Sequence, residues 1–205
     1  MTRAAIAILL AGPSGSGKSR LARLCRLPLL RLDDFYRDGD HPDLPRRHGI
    51  VDWDDPASWD REACLTALAT LCATGRAQVP AYDIASSARI GCHDLDLGAA
   101  PAFVAEGIFA PTLLADARKA GVPVEAIYLD RPRTLVAILR LVRDLRTHRK
   151  PPAVLLRRGF TLWREQPALK RDAVAAGFRP LSMRAAQRRI GAMAGDPGRR
   201  ADTVP

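Results

Sequence analysis

The sequence predicts an α/β protein of three layers, a mostly parallel sheet with helices on both faces and a small basic helical lid. Three observations carry that expectation. Apolar runs at residues 4–10, 102–106 and 124–130 have the length of buried strands. Segments of helical period alternate with them, at residues 19–26, 60–74 and 111–119. A glycine-rich octapeptide joins the first run to the first helix.

That octapeptide, Gly12-Pro13-Ser14-Gly15-Ser16-Gly17-Lys18-Ser19, fits the pattern G-x-x-x-x-G-K-[ST] between a strand and a helix. Glycines let the chain wrap so that backbone N–H groups point inward at phosphate oxygens, and the following helix adds its positive end. Lys18 is placed to bridge the β and γ phosphates of a nucleoside triphosphate, and the Ser19 hydroxyl to ligate Mg²⁺. Next comes a short strand at 29–32 ending in Asp33-Asp34-Phe35-Tyr36. Residues 37–59, dense in Asp, Pro and Gly, read as a long irregular loop of the kind that carries function.

The helix over 60–74 has one apolar stripe, Leu65, Leu68, Ala69, Leu71 and Cys72, and a stop at Gly75. The run 102–106 ends in Glu106, and a helical segment near 111–119 separates it from the run 124–130. From 133 to 149 the pattern is a basic amphipathic helix with Leu135, Ile138, Leu139, Val142 and Leu145 expected to face inward, ended by Pro151-Pro152. Gly177-Phe178-Arg179-Pro180 is either a helix-ending turn or a loop packing on an adenine, and Ser182 is a plausible N-cap for a last helix to about 194.

Length favours one domain, 1–194, with a lid at about 133–165 and a flexible tail at 195–205. No window reaches the roughly 18 apolar residues of a membrane span, so a cytoplasmic location without membrane association is expected. Four scattered cysteines with no C-x-x-C pair suggest neither a disulfide framework nor a zinc site. The net charge of +10 is unevenly placed: residues 131–205 carry 18 Lys and Arg against 5 Asp and Glu, while residues 1–130 are slightly acidic. Such a basic third suits either a polyphosphate substrate or nucleic acid, and the scarcity of interleaved aromatics argues against the latter.

Five segments in order carry a more specific resemblance: the phosphate loop, Leu32-Asp33-Asp34-Phe35-Tyr36, Asp52-Trp53-Asp54-Asp55-Pro56, Val79-Pro80-Ala81-Tyr82-Asp83 with Arg89, and Val104-Ala105-Glu106-Gly107-Ile108. Together, over about residues 4–150, they resemble the uridine kinase-like group of P-loop kinases, related to phosphoribulokinase and bacterial pantothenate kinase. The resemblance implies the three-layer P-loop NTPase fold and transfer of the γ-phosphoryl group of ATP, with Mg²⁺, to a hydroxyl of a small molecule.

The resemblance also implies roles. Asp33 matches the catalytic aspartate, a base or orienting group beside the phosphates, with Asp34 as the alternative. Glu106 shares the metal with Ser19. Asp54 grips substrate hydroxyls, and Tyr36, Tyr82, Asp83 and Arg89 face the substrate. Arg140 and Arg143 lie one turn apart on the lid helix, Arg143-Asp144 matching the lid's Arg-Asp, and would neutralise charge on the transferring group. Two base-reading positions depart from the uridine-cytidine kinase pattern, with Ser87 in place of a His and Ile84 in place of an aromatic residue. The acceptor therefore stays open between a nucleoside, a ribosylated vitamin and a pantothenate-like acid. Two other classes stay open as well: an ATP-dependent nucleic-acid-binding module and a nucleotide-binding protein without turnover. The sequence leaves monomer and homo-oligomer undecided, and the absence of an Asn-Lys-x-Asp motif favours ATP over GTP.

Overall fold

A computed structural model of the chain describes residues 4–47, 49–146 and 152–195. In chain order, β1 (Ile6–Ala11) leads through the phosphate loop to α1 (Lys18–Leu24), and β2 (Leu29–Arg31) runs into a 3-10 turn over Leu32–Phe35. Then come a short pairing of β3 (Arg46–Arg47) with β4 (Ile50–Val51), a second 3-10 turn at Pro56–Ser58, and α2 (Arg61–Thr74). A hairpin of β5 (Arg76–Asp83) and β6 (Ala88–Asp96) precedes β7 (Ala102–Glu106), α3 (Ala110–Lys119) and β8 (Val124–Leu129). The chain continues as α4 (Arg133–Arg146), α5 (Pro152–Ala175), β9 (Arg179–Leu181) and α6 (Met183–Met193).

Five of these strands form one parallel sheet in the order β2-β7-β1-β8-β9. Strand β1 shows why both faces are covered. Ala7, Leu9 and Ala11 enter one core cluster with Leu68 and Leu71 of α2 and Leu113 and Leu114 of α3. Ile8 and Leu10 enter the other, with Leu21 and Ala22 of α1 and Ala186 and Ile190 of α6. Period-two alternation in an all-apolar strand can be satisfied only by a layer on each side. The register levels Leu10 of β1 and Arg31 of β2 with Glu106 of β7, so three carboxyl ends open at one edge, where ligands enter open α/β sheets.

Helix α2 follows its sequence signals. Asp60 caps it, accepting a 3.0 Å hydrogen bond from the Ala63 N–H, and Gly75 ends it at φ 76°. Its apolar stripe is buried around Cys64, Leu68, Leu71 and Cys72. Burial pushes the Cys64 thiol up and the Cys72 thiol to about 11, so both behave as small apolar side chains, whereas Cys92 is exposed. The expected Ser182 cap is present on α6, accepting from the Ala185 N–H.

Elsewhere the structure corrects the expectations. The stretch 76–96, to which the pattern assigned no element, is a hairpin whose second strand is almost wholly solvent-exposed. A 24-residue helix, α5, occupies the region after Pro151-Pro152, with Pro152 at its first position and Pro167 inside it. Phe178 is no adenine-facing loop residue: it is 2% exposed in the core, and Arg179-Pro180 opens the edge strand β9. On α4 the stripe expected to face inward points out, with Leu135, Ile138, Leu139 and Val142 all exposed and Val136 buried in their place. On the same helix Arg140 reaches the phosphate loop, donating to Ser14 O. The Leu145 side chain, residues 147–149 and the tail 196–205 lie outside the described residues. Among the described residues no helix is long and apolar enough to cross a membrane.

Asp60 holds α2 and the hairpin together, since its other oxygen accepts from Arg89 Nη2 at 3.1 Å. Asp60→Ala is expected to lower unfolding free energy in urea by about 1–2 kcal/mol, most of it from the lost cap because the ion pair is partly exposed. A loss well below ~0.5 kcal/mol would show that the cap carries no weight.

Candidate active site

The phosphate loop is held by cations on its own carbonyl groups. Lys18 Nζ donates to Gly12 O at 2.9 Å and Pro13 O at 3.4 Å. From α4, Arg140 donates Nε and Nη2 to Ser14 O at 3.2 and 2.8 Å, and Arg131, just past β8, donates Nη1 to Ser16 O at 3.2 Å. The Ser16 hydroxyl is buried without a hydrogen-bond partner. Gly15 permits the contact with α4: its φ is 86°, and a Cβ there would meet the Arg140 backbone at 3.3 Å.

Beside the loop, Ser19 Oγ donates to Glu106 Oε1 at 2.5 Å. A hydroxyl and a carboxylate so close form a hard-oxygen pair that could hold Mg²⁺. Asp33 sits on the 3-10 turn against the end of β7. Its carboxyl is held above the ordinary carboxylate range by burial, opposed chiefly by the Lys18 charge, then by a hydrogen bond from the Ile108 backbone, with Glu106 raising it further. Its Oδ1 is buried with no hydrogen-bond partner. Asp34 faces elsewhere: burial raises its pKa, and the cations acting on it are Arg31 and His93.

Gly107 makes the Asp33 position possible. A Cβ at Gly107 would lie 2.6 Å from Leu32 Cβ and 2.8 Å from Asp33 Oδ1, so only glycine lets the turn approach the end of β7 this closely.

The proposed substrate residues gather on the other side of Asp33. Tyr36 donates its hydroxyl to Trp53 O at 3.1 Å and packs against the rings of Trp53, Tyr82 and Phe109, with centroids 5.4 to 5.9 Å apart. Burial raises the Tyr36 pKa, and the nearby charges of Asp33 and Asp54 raise it further, which places Asp54 at this cluster. Capping of the Pro56–Ser58 turn falls to Asp55, which accepts from the Ala57 N–H at 2.9 Å, so the exposed Asp54 side chain is not spent on it.

Tyr82 donates to Arg37 O at 3.1 Å. Asp83 closes the hairpin turn, accepting from the N–H groups of Ala85 and Ser86 and the Ser86 hydroxyl. Arg89 donates to Tyr36 O at 3.3 Å besides its pairing with Asp60, and its N–H donates to Asp38 Oδ1 at 2.6 Å. Both charged residues thus brace the wall of the cluster. Arg143 lies within α4, but its side chain is outside the described residues. Sequence reasoning passed over Trp53, Arg131 and Gly107. Trp53 and Gly107 stood inside segments quoted for their acidic neighbours, and Arg131 has no local signal beyond its place after a strand.

Sheet order and loop define a three-layer α/β fold of the P-loop type. The chain shares its fold with a candidate fructose transport system kinase from Silicibacter sp. TM1040, at a TM-score of 0.58 and 20% identity over 89% of this chain and 90% of that one. No family model matches. In sequence, the chain is 26% identical over 157 residues to the uridine kinase of Ureaplasma parvum serovar 3, covering 70% of this chain and 71% of that protein. It is 31% identical over 112 residues, half of this chain, to inorganic pyrophosphatase TTM1 of Arabidopsis thaliana, of which it spans 16%. The chain therefore resembles the uridine kinase-like P-loop kinases in its sequence motifs and shares the P-loop kinase fold.

Gly107→Ala is expected to destabilise the protein by about 1–3 kcal/mol, the usual cost of forcing a side chain into packed space. Chemical denaturation checks the value; an unchanged midpoint would mean that the Leu32–Phe35 turn shifts without cost.

Proposed function

We propose that the protein transfers the γ-phosphoryl group of ATP to a hydroxyl of a small, nucleoside-like molecule. The observation that carries this reading is the approach of Asp33 to Lys18 and to the Ser19–Glu106 pair, with one carboxylate oxygen left without a partner. Burial disfavours the charged form of a carboxylate, so one kept beside the loop lysine is a candidate proton acceptor.

In this reading Gly12 to Ser19 cradle the triphosphate through their backbone. Lys18 leaves the carbonyl groups of Gly12 and Pro13 for phosphate oxygens, a stronger partner because it is charged. Ser19 and Glu106 would hold Mg²⁺, which would supply positive charge against the triphosphate. Asp33 accepts the acceptor's hydroxyl proton and orients that hydroxyl in line. Arg140, already on the loop, and Arg143 meet the charge that develops on the transferred group. Tyr36, Trp53 and Tyr82 offer aromatic surface for a flat ring, and Asp54 accepts from sugar-like hydroxyls. Asp83 and Arg89 hold that wall in place. The action on uridine named for the Ureaplasma relative supports a nucleoside-like acceptor, while Ser87 and Ile84 leave the base to be read by other contacts.

Asp33→Asn tests the assignment in two ways. With MgATP and a panel of nucleosides, ribosides and hydroxy acids, acceptor-dependent ADP release is expected to fall by about 10²–10⁴-fold, and a wild-type rate would remove Asp33 from its role. The same variant is expected to melt at a higher temperature at neutral pH. Burial raises the folded-state pKa of Asp33, so its ionisation destabilises the native protein above that pKa, and the advantage of Asn disappears as the pH falls towards the ordinary carboxylate range.

A further inference from the structure

A cavity of about 280 Å³ is lined by Leu29, Leu30, Arg31, Asp34, Val79 and His93. No residue of the phosphate loop or of the aromatic cluster contributes to it. Its floor is β2, the edge strand of the sheet, and its wall is the hairpin, where Val79 and His93 are cross-strand partners and so present their side chains on one face.

The chemistry of the lining is unusual for a structural crevice. Three ionisable side chains converge on it, and among the described residues none of them makes a hydrogen bond or ion pair. Asp34 is half-buried and its pKa is raised by burial, with the exposed Arg31 and then His93 acting to lower it. Burial leaves the Asp34 carboxylate with a cost that a ligand's positive group would offset, while the exposed Arg31 and His93 stay open to a negative group on the same ligand. A simple anion drawn to Arg31 would meet Asp34, and a simple cation drawn to Asp34 would meet Arg31. A divalent metal ion would find one carboxylate, one imidazole and an opposing guanidinium.

We propose that this cavity binds a small zwitterion of the amino-acid class, its carboxylate on Arg31 and His93, its ammonium on Asp34, and its carbon chain against Leu29, Leu30 and Val79. The guanidinium fork suits a carboxylate, and charge-assisted hydrogen bonds at both ends fix the ligand's direction. Asp34 adjoins Asp33 on one 3-10 turn, and the two carboxylates interact, so an ammonium on Asp34 acts back on its neighbour. That consequence for phosphoryl transfer rests on the role proposed for Asp33; the binding does not.

Isothermal titration of the full chain with glycine, β-alanine, γ-aminobutyrate and L-valine, beside butyrate and butylamine, tests the site. At least one zwitterion is expected to bind, at least about tenfold more tightly than either single-charge probe, and Arg31→Gln and Asp34→Asn are each expected to weaken it by about tenfold or more. Thermal melts establish that each variant is folded. Flat isotherms for all four zwitterions at millimolar concentration, or binding unchanged in both variants, would overturn the proposal. ATP turnover measured on the same samples separates the two readings: its absence with every acceptor speaks against the kinase assignment alone, and flat isotherms with turnover intact speak against this site alone.

Discussion

The backbone carbonyl groups of the phosphate loop are the anchor on which the rest of the mouth of the sheet is assembled. Gly12, Pro13, Ser14 and Ser16 give their oxygens to Lys18, Arg140 and Arg131, which arrive from α1, α4 and the end of β8. Peptide dipoles tied to cations at their oxygen ends hold the loop in shape, and in the proposed function the same cations are the counter-charges for phosphate. Arg140 links two levels of organisation. It ties the loop to α4, the helix on which Leu135, Ile138, Leu139 and Val142 are exposed.

Asp33 shows the opposite economy. Burial raises its pKa, and Lys18 with the Ile108 N–H only partly compensates. Gly107 gives up a side chain so that the turn can come this close. A carboxylate kept in a position that works against its own ionisation is a mark of sites where function outweighs stability. The neighbouring Asp34, on the same turn, answers to a different set of charges, Arg31 and His93. Consecutive residues of a 3-10 turn point about a third of a turn apart, which explains how two adjacent aspartates reach two separate environments.

The parallel sheet, the loop and α2 were legible because each rests on a local signal: apolar runs of strand length, a glycine-rich octapeptide, and a capped stripe from Asp60 to Gly75. The hairpin was not, because β6 is exposed on nearly every residue and β5 contains Pro80, which reads as a breaker although an edge hairpin tolerates it. Pro167 hid α5 in the same way. The stripe on α4 has a perfect helical period, but period reveals which residues share a face and not what covers that face. At the site, Asp33, Ser19 and Glu106 were brought together from three segments by motif alone. Trp53, Arg131 and Gly107 were not, since their importance lies in contacts across 17 to 115 residues of chain.

Phosphorus-31 NMR of the wild-type protein with MgATP and a mixture of nucleosides, sugars and hydroxy acids tests the central claim most directly. The account predicts a new phosphomonoester signal growing in one-to-one proportion to ADP. Loss of ATP to ADP and inorganic phosphate alone, or no loss of ATP with any acceptor, would contradict it.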